Sequence, residues 1–507
     1  MAISDAVGLE LKSKVVGYKI VGTNFNNSTP NLPQRIALLA EANTANQSGL
    51  STAGVQVTSA QQVGELAGYG SPAHSMARIL FPKGGGGLIG GIPVILYLQA
   101  EAGSAAAKEH TVTATGTATG NGTHTLFICG RNGLDGVFYD INIAVGDTPT
   151  VIATKAVDAI NSVLGCPVSA TNTAGVVTAT SKWKGLTAED ISITVSTNGD
   201  ALGVSWAVAS TASGAGTPSI SAALDQFGSA WTTIVVNPYA ASTVYAALEA
   251  FNGIPDSTAP TGRYAGITMK PFIAITGSTL ENPTTVTDGR AANVTIAIAP
   301  APLSKGLPYE AAANMTCLFA RKAQDNPHLD VSGSYYPDMP VPSDGVIGAM
   351  SSYVNRNLYL TKGSSTVDLV AGRYQVVDFV TTYHPAGEDP LQFNYCRNLQ
   401  VDWNIRFAYY VQEQINVVDH VISSDSATVT AGNVIKPKMW KSVVIGLADD
   451  LAARALIAEP QFMKDSIRVQ ISSVNPDRLE TNFSYKRTGV ARILSTTANA
   501  GFNFGSA

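Results

Sequence analysis

The residues able to do chemistry in this 507-residue chain are few and scattered. Six histidines occur, His74, His110, His124, His328, His384 and His420. None stands at metal-ligand spacing from another, so no metal site is read from them. The four cysteines, Cys129, Cys166, Cys317 and Cys396, contain no Cys-x-x-Cys pair. They read as small buried apolar residues in a reducing compartment, not as a zinc site or a disulfide framework. A hydrolase triad needs no fixed chain order, and its candidates here are Asp378, His384 and Ser351. There is no Gly-x-Ser-x-Gly elbow, however, and Ser351 sits in Ala349-Met350-Ser351-Ser352 within a predicted helix. His384 precedes Pro385 and reads as a loop residue. The run Gly84–Gly87 invites a phosphate-loop reading. A Walker loop needs Lys and then Ser or Thr after its last glycine to reach phosphate and magnesium, and here Leu88 and Ile89 follow. That run is read as a flexible connection. The sequence thus predicts no catalytic residue, no cofactor and no metal.

Composition narrows the class further. At about 150 residues per domain the length suggests roughly three domains. The hydrophobic fraction of 45% is ordinary, but only 14% of residues are charged, against about 25% in typical domains. Such a chain buries much of its surface or covers its exterior with Ser, Thr, Asn and Gly, as assembled coat-like proteins do. A net charge of −5 is too small to imply a direct nucleic-acid or anionic-membrane partner. Met1–Glu10 lacks the basic start and apolar run of a signal peptide. No run of about 18 apolar residues exists, so no membrane insertion is expected.

The elements follow from hydrophobic period. Residues 1–21 form a predicted N-terminal arm, with Val7, Leu9 and Leu11 alternating with polar or small residues. Residues 22–102 are the N-terminal part of a core, with strands at Arg35–Glu41 and Ile92–Leu98 and a helix at Pro72–Phe81. From 103 to 224 charge thins and Thr, Ala and Gly dominate. Strands at His124–Cys129, Val137–Ala144, Val176–Thr180 and Ile191–Ser196 surround a helix at Pro149–Val163. This is a β-rich inserted outer domain, a small sandwich or barrel, with Ala207–Gly216 as its exit linker.

Residues 225–390 alternate apolar strands (Thr232–Val236, Phe272–Thr276, Val294–Ala299) with helices (Ala240–Phe251, Glu310–Ala323, Gly345–Leu358). That pattern predicts a parallel α/β middle domain covered on both faces. Residues 391–487 predict two amphipathic helices, Asp402–Ile422 and Met439–Ile457, followed by a hairpin turning at Asn475-Pro476-Asp477. Lys441, Asp449, Asp450 and Arg454 are read mostly outward on the second helix. They form either a solvated face or a docking surface. Residues 488–507 are a C-terminal arm, with Val490, Ile493 and Phe502 as its apolar contacts. Strand-like chain ends are templates for pairing with another molecule. The overall expectation is an α/β and α+β multidomain protein: an inner α+β domain with strand-forming terminal arms, a parallel middle domain and a β-rich insert.

Several segments together resemble the contractile tail sheath proteins of Mu-like bacteriophages along nearly the whole chain. Pro33-Gln34-Arg35-Ile36-Ala37-Leu38-Leu39-Ala40 is similar to the family's first core strand. Gly68-Tyr69-Gly70-Ser71-Pro72 with Met76-Ala77-Arg78 is similar to its Gly-Ser-Pro helix segment. Gly146-Asp147-Thr148, Ala159-Ile160-Asn161 and Pro167-Val168-Ser169-Ala170 resemble a β-rich insert of such sheaths. Asn404-Ile405-Arg406-Phe407 and Asp419-His420-Val421-Ile422 resemble the helix that opens the inner domain. The resemblance implies a virion structural subunit, assembled in the host cytoplasm, that stacks as six-fold rings around a tail tube. Its partners would be itself, the tube protein, and the baseplate and tail terminator proteins. The inner domain would combine the N-terminal region with the C-terminal module and face the tube, with the Met439–Ile457 helix as its contact. The arms would add strands to neighbouring subunits, with Gly22–Ser28 as a hinge. The rival class is a capsid-decoration or adhesin-like binding protein, suggested by the Thr-rich insert. A hydrolase is the least supported reading.

Overall fold

The computed structural model describes residue 14 and residues 30–502, apart from 52, 89–90, 267–268 and 389–391. Val7, Leu9, Leu11 and the Gly22–Ser28 hinge lie outside the described residues. The chain divides into two compact units, one of Leu32–Asn404 with Gly489–Ala507 and one of Met1–Asn31 with Ile405–Thr488.

The larger unit is organised by a six-stranded sheet. Its order is Ile296–Pro300, Ile273–Ser278, Ile234–Asn237, Ile36–Glu41, Val94–Gln99 and Val55–Val57. All neighbours run parallel except the last pair. Ile36–Glu41, Ile234–Asn237, Ile273–Ser278 and Ile296–Pro300 are buried at every position. Near-continuous apolar runs are what a parallel sheet covered on both faces requires. One face carries Ala37, Leu39, Tyr97, Val235, Phe272 and Ala274, packed with Val244, Tyr245 and Leu248 of helix Ser242–Asn252. Helix Pro308–Asp325 packs on strand Ile273–Ser278. A Cβ on Gly277 would stand 1.6 Å from the Pro308 carbonyl oxygen, so only glycine permits that approach. Helix Pro72–Leu80 begins where Ser71 Oγ accepts from the His74 amide at 3.2 Å.

This sheet takes in strands from residues 22–102, expected as the N-terminal part of a core. Ile36–Glu41 pairs with Ile234–Asn237 on one side and Val94–Gln99 on the other, at the middle of the α/β sheet. Strands buried on both faces gain more from a sheet centre than from an edge. The predicted helix Gly345–Leu358 is a 3-10 turn at Gly348–Ser351 followed by helix Tyr353–Thr361. An antiparallel pair, Thr366–Val370 with Arg373–Asp378, was not foreseen.

The insert contains a four-stranded antiparallel sheet, ordered Ser205–Ala212, Glu109–Thr115, Val176–Ser181 and Val168–Thr173. A three-stranded one is ordered Ile193–Ser196, Gly122–Ile128 and Asp140–Ile143. Val176–Ser181 alternates half-buried and buried positions, as a sheet with one packed face does. Helix Pro149–Ser162 buries Ile152, Ala153, Ala156, Ala159 and Ile160. The expected linker Ala207–Gly216 is largely an edge strand, with Val208 opposite Val112.

In the smaller unit, helix Pro437–Ala453 buries Trp440, Val444, Leu447, Ala448 and Leu451, one helical stripe. It stops four residues before the expected Ile457 because Ala455 is left-handed (φ 53) and the Leu456 amide bonds back to Leu451. The helix expected at Asp402–Ile422 spans Cys396–Asn416. Asp419 is left-handed (φ 61), and Val421–Ile422 pairs in parallel with Val434–Ile435. A short helix, Pro460–Ser466, leads into the hairpin Arg468–Ile471 with Leu479–Asn482.

Candidate functional site

The triad candidates are held by partners other than one another. Ser351 Oγ donates to the Gly348 carbonyl at 2.8 Å, and His384 Nδ1 lies 2.7 Å from the Thr382 carbonyl. Asp378 accepts from Thr366 Oγ1 at 3.0 Å and faces Arg492. Among the described residues no group of three His, Cys, Asp or Glu is placed to hold a metal ion, and no helix is long and apolar enough to cross a membrane. The cysteines are buried as free thiols, and burial pushes the Cys317 thiol up to about 11, far from a reactive thiolate.

In open α/β sheets ligands bind beyond the carboxyl ends of the strands, where strand order reverses. Here the reversal falls between Ile36–Glu41 and Ile234–Asn237. The insert fills that place. Glu41 ends its strand fully buried and accepts from Thr187 Oγ1, which in turn accepts from Trp183 Nε1 at 2.8 Å. A Cβ on Gly185 would lie 2.5 Å from Glu41 Oε1. On the sheet side, Tyr239 Oη donates to Gln99 Oε1 at 2.8 Å. Burial pushes the Glu41 carboxyl up to about 8, with the Glu101 charge adding to it and Thr187 opposing. Through Thr187 this buried acid and Trp183 join the insert to the sheet.

The smaller unit presents backbone for pairing. Its hairpin is two-stranded, so among the described residues each strand has one neighbour. The Ser472 amide bonds to the Arg478 carbonyl at 2.9 Å and continues the ladder. Antiparallel alternation then aims the backbone groups of Val469, Ile471, Leu479 and Thr481 away from the partner strand. Trp440 supports the sheet, with Nε1 donating to Thr481 Oγ1 at 3.0 Å and its ring edge-on to Tyr409. An open cleft of ≈500 Å³ is lined by Tyr409, Glu413, Val417, Trp440 and Arg478 to Thr481.

The four charged residues singled out on helix Pro437–Ala453 separate into two kinds. Asp449 is exposed and pairs with Lys464 at 2.6 Å, while Lys441 is half-buried. Asp450 and Arg454 are mostly covered. Arg454 bonds Asp450 at 3.5 Å and Asn31 Oδ1 at 2.6 Å.

No protein-family model matches the chain. Over 390 residues it is 24% identical to the Mu-like prophage FluMu tail sheath protein of Haemophilus influenzae, covering 75% of this chain and 76% of that one. The chain is a relative of the Mu-like tail sheath proteins. Two solved structures align across most of it. One is a sheath tail protein from Desulfitobacterium hafniense (14% identity, 93% of this chain and 100% of that one, TM-score 0.45). The other is the anti-feeding prophage helical sheath in its contracted state (11%, 97% and 100%, TM-score 0.47).

Tail sheath proteins, which this chain resembles, are structural proteins and not enzymes. After Thr488 the described chain has no helix or strand. Ile493 and Leu494 are 87% and 84% exposed, and Val490 and Phe502 are exposed as well. Val490, Ile493 and Phe502 are the residues that the sequence singled out in this segment. The sequence did not single out Arg492 or the Glu41–Thr187–Trp183 joint, because Arg492 meets Asp330 and Glu41 meets Thr187 across more than 100 residues. The signal available was Trp183, one of two tryptophans in a Gly- and Thr-rich insert, a residue type that usually marks a buried contact.

Proposed function

We propose that this chain is the sheath subunit of a contractile bacteriophage tail. It polymerises as stacked six-fold rings around a tail tube, contracts on a baseplate signal and drives the tube through the host envelope. The hairpin carries this reading: two strands with outward-facing backbone groups, in a chain whose described segment after Thr488 has no helix or strand and leaves Ile493 and Leu494 exposed. A lone two-stranded hairpin is marginal in water, and an added strand completes it. Each added main-chain hydrogen bond is worth only about 0.5–1.5 kcal/mol net, yet the contribution repeats at every lattice position. Such joints persist while rigid bodies rotate, so energy stored at assembly is released without nucleotide. The 24% identical tail sheath relative supports the same reading.

Residues 1–21 and 488–507 act as the arms. Helix Pro437–Ala453 faces the tube, and its exposed Asp449 and half-buried Lys441 are the charges available to it. Assembly takes place in the host cytoplasm with the tube, baseplate and terminator proteins, and the product is part of the virion. Negative-stain microscopy of the purified chain tests the proposal. Striated tubes are expected from the full chain, and folded monomers from a chain lacking 493–507. Closed trimers, or normal tubes from the truncated chain, overturn it.

A further inference from the structure

Three elements of the larger unit converge on the C-terminal segment. Asp330 lies in the loop after helix Pro308–Asp325, Asp378 ends strand Arg373–Asp378, and Tyr395 immediately precedes helix Cys396–Asn416. The two acidic side chains are 5% and 17% exposed. One oxygen of each is already used. Asp330 Oδ1 accepts from the Val331 amide at 2.7 Å, and Asp378 Oδ2 accepts from Thr366 Oγ1 at 3.0 Å. The other two oxygens receive Arg492: Nη2 donates to Asp330 Oδ2, and Nη1 stands 3.4 Å from Asp378 Oδ1. The guanidinium carbon lies 3.8 Å from the centre of the Tyr395 ring. Nearby Arg356 is engaged with Asp368 at 3.1 Å.

We propose that Asp330, Asp378 and Tyr395 form a guanidinium-specific socket that pins the chain's own arm at Arg492. Only the part beyond it, from Ile493 on, is then available to a second copy. The carboxylates are oriented by Val331 and Thr366, so the socket stands ready before the arm arrives. Two acids and a ring face match the planar two-pronged guanidinium, which a lysine ammonium cannot fill. Two buried carboxylates also repel each other when the cation leaves, which holds the arm in place. The pin sets the root and direction of the arm, and Ile493 and Leu494 emerge exposed directly after it.

This inference rests on the arm reading, and trypsin separates the two. Trypsin must draw the Arg492 side chain into its own pocket to cut before Ile493. In the full monomeric chain that bond is expected to survive conditions that cut a peptide of residues 488–498. In Arg492→Lys, and in the Asp330→Asn/Asp378→Asn double variant, cleavage there should rise at least about tenfold, the loss of one charged hydrogen bond, with each rate normalised to its own peptide. The lysine variant changes only the arm's side of the socket and keeps the positive charge, so it carries the test if the double variant does not fold. A wild-type bond cut as fast as the peptide, or an unchanged Arg492→Lys rate, overturns the pin. Normal tubes from a chain lacking 493–507 would instead overturn the arm reading and leave the protection untouched.

Discussion

Thr187, in the β-rich insert, donates its hydroxyl hydrogen to Glu41, the last residue of the sheet's first parallel strand. The bond ties the insert to the α/β layer at the point where such sheets open a ligand crevice. Burial there pushes the Glu41 carboxyl up to about 8, with Thr187 opposing and the Glu101 charge adding to the rise.

That raised value gives stability a defined pH dependence. The folded value lies near 8 against an ordinary 4.5, so between these pH values the unfolded chain has lost a proton that the folded chain keeps. Unfolding then releases protons, and stability falls as pH rises from about 4.5 to about 8, with no further change from this group above that. Glu41→Gln should flatten this slope, which amounts to a few kcal/mol at most, on the order set by the shift. Urea denaturation at pH 5 and pH 8.5 checks it. An equal slope in both proteins would refute the assignment.

Trp440 is the second point of leverage. It is buried between the hairpin and Tyr409, and its Nε1 bonds Thr481. Trp440→Ala is expected to cost about 3–5 kcal/mol, through the cavity it leaves and the lost ring contact. Trp440→Phe retains most of the packing and should cost nearer 1 kcal/mol. Denaturation followed by far-ultraviolet circular dichroism separates the two.

The acidic pair on helix Pro437–Ala453 should divide by burial. Asp449 is 61% exposed beside Lys464, and Asp450 only 16% beside Arg454. Asp449→Ala should change stability by less than about 0.5 kcal/mol. Asp450→Ala should cost about 1–3 kcal/mol by leaving a mostly covered Arg454 with one partner fewer. If the helix faces the tube, Asp449→Lys lowers co-assembly with tube protein and spares tube-free polymerisation. Sedimentation of mixed and single-component samples reads both.

What the sequence made legible follows from burial. Ile36–Glu41 and Ile234–Asn237 are apolar at nearly every position because both faces are covered, and such runs announce themselves. Ser205–Ala212 is an edge strand exposed at nearly every position, so it shows no alternation and reads as a linker. Helix ends at Asn416 and Ala453 were overrun because Asp419 and Ala455 adopt left-handed backbone without a glycine to mark it. The grouping of the first strand with the middle domain was hidden for another reason. A parallel strand's partners are set by layer packing across some 200 residues, which no local period records.

The open hairpin yields the most direct test of assembly. Val469 stands opposite Thr481, between the hydrogen-bonded pairs Arg468–Asn482 and Gln470–Glu480 implied by the Ser472–Arg478 bond. Its amide therefore points away from the hairpin, toward the place an incoming strand would take. Proline at 469 removes that donor and puts a ring in the incoming strand's path, while breaking no bond within the hairpin. Edge positions are where sheets tolerate proline, so the cost to the monomer should stay near 1 kcal/mol, mainly from the half-buried valine side chain. Polymerisation should be lost. Val469→Ala sheds the same packing yet keeps the amide, and should still form tubes. Microscopy of both variants at matched concentration, with melting curves of the monomers, distinguishes a blocked edge from a weakened fold. Tubes from the proline variant would show that this edge is not where copies of the chain join.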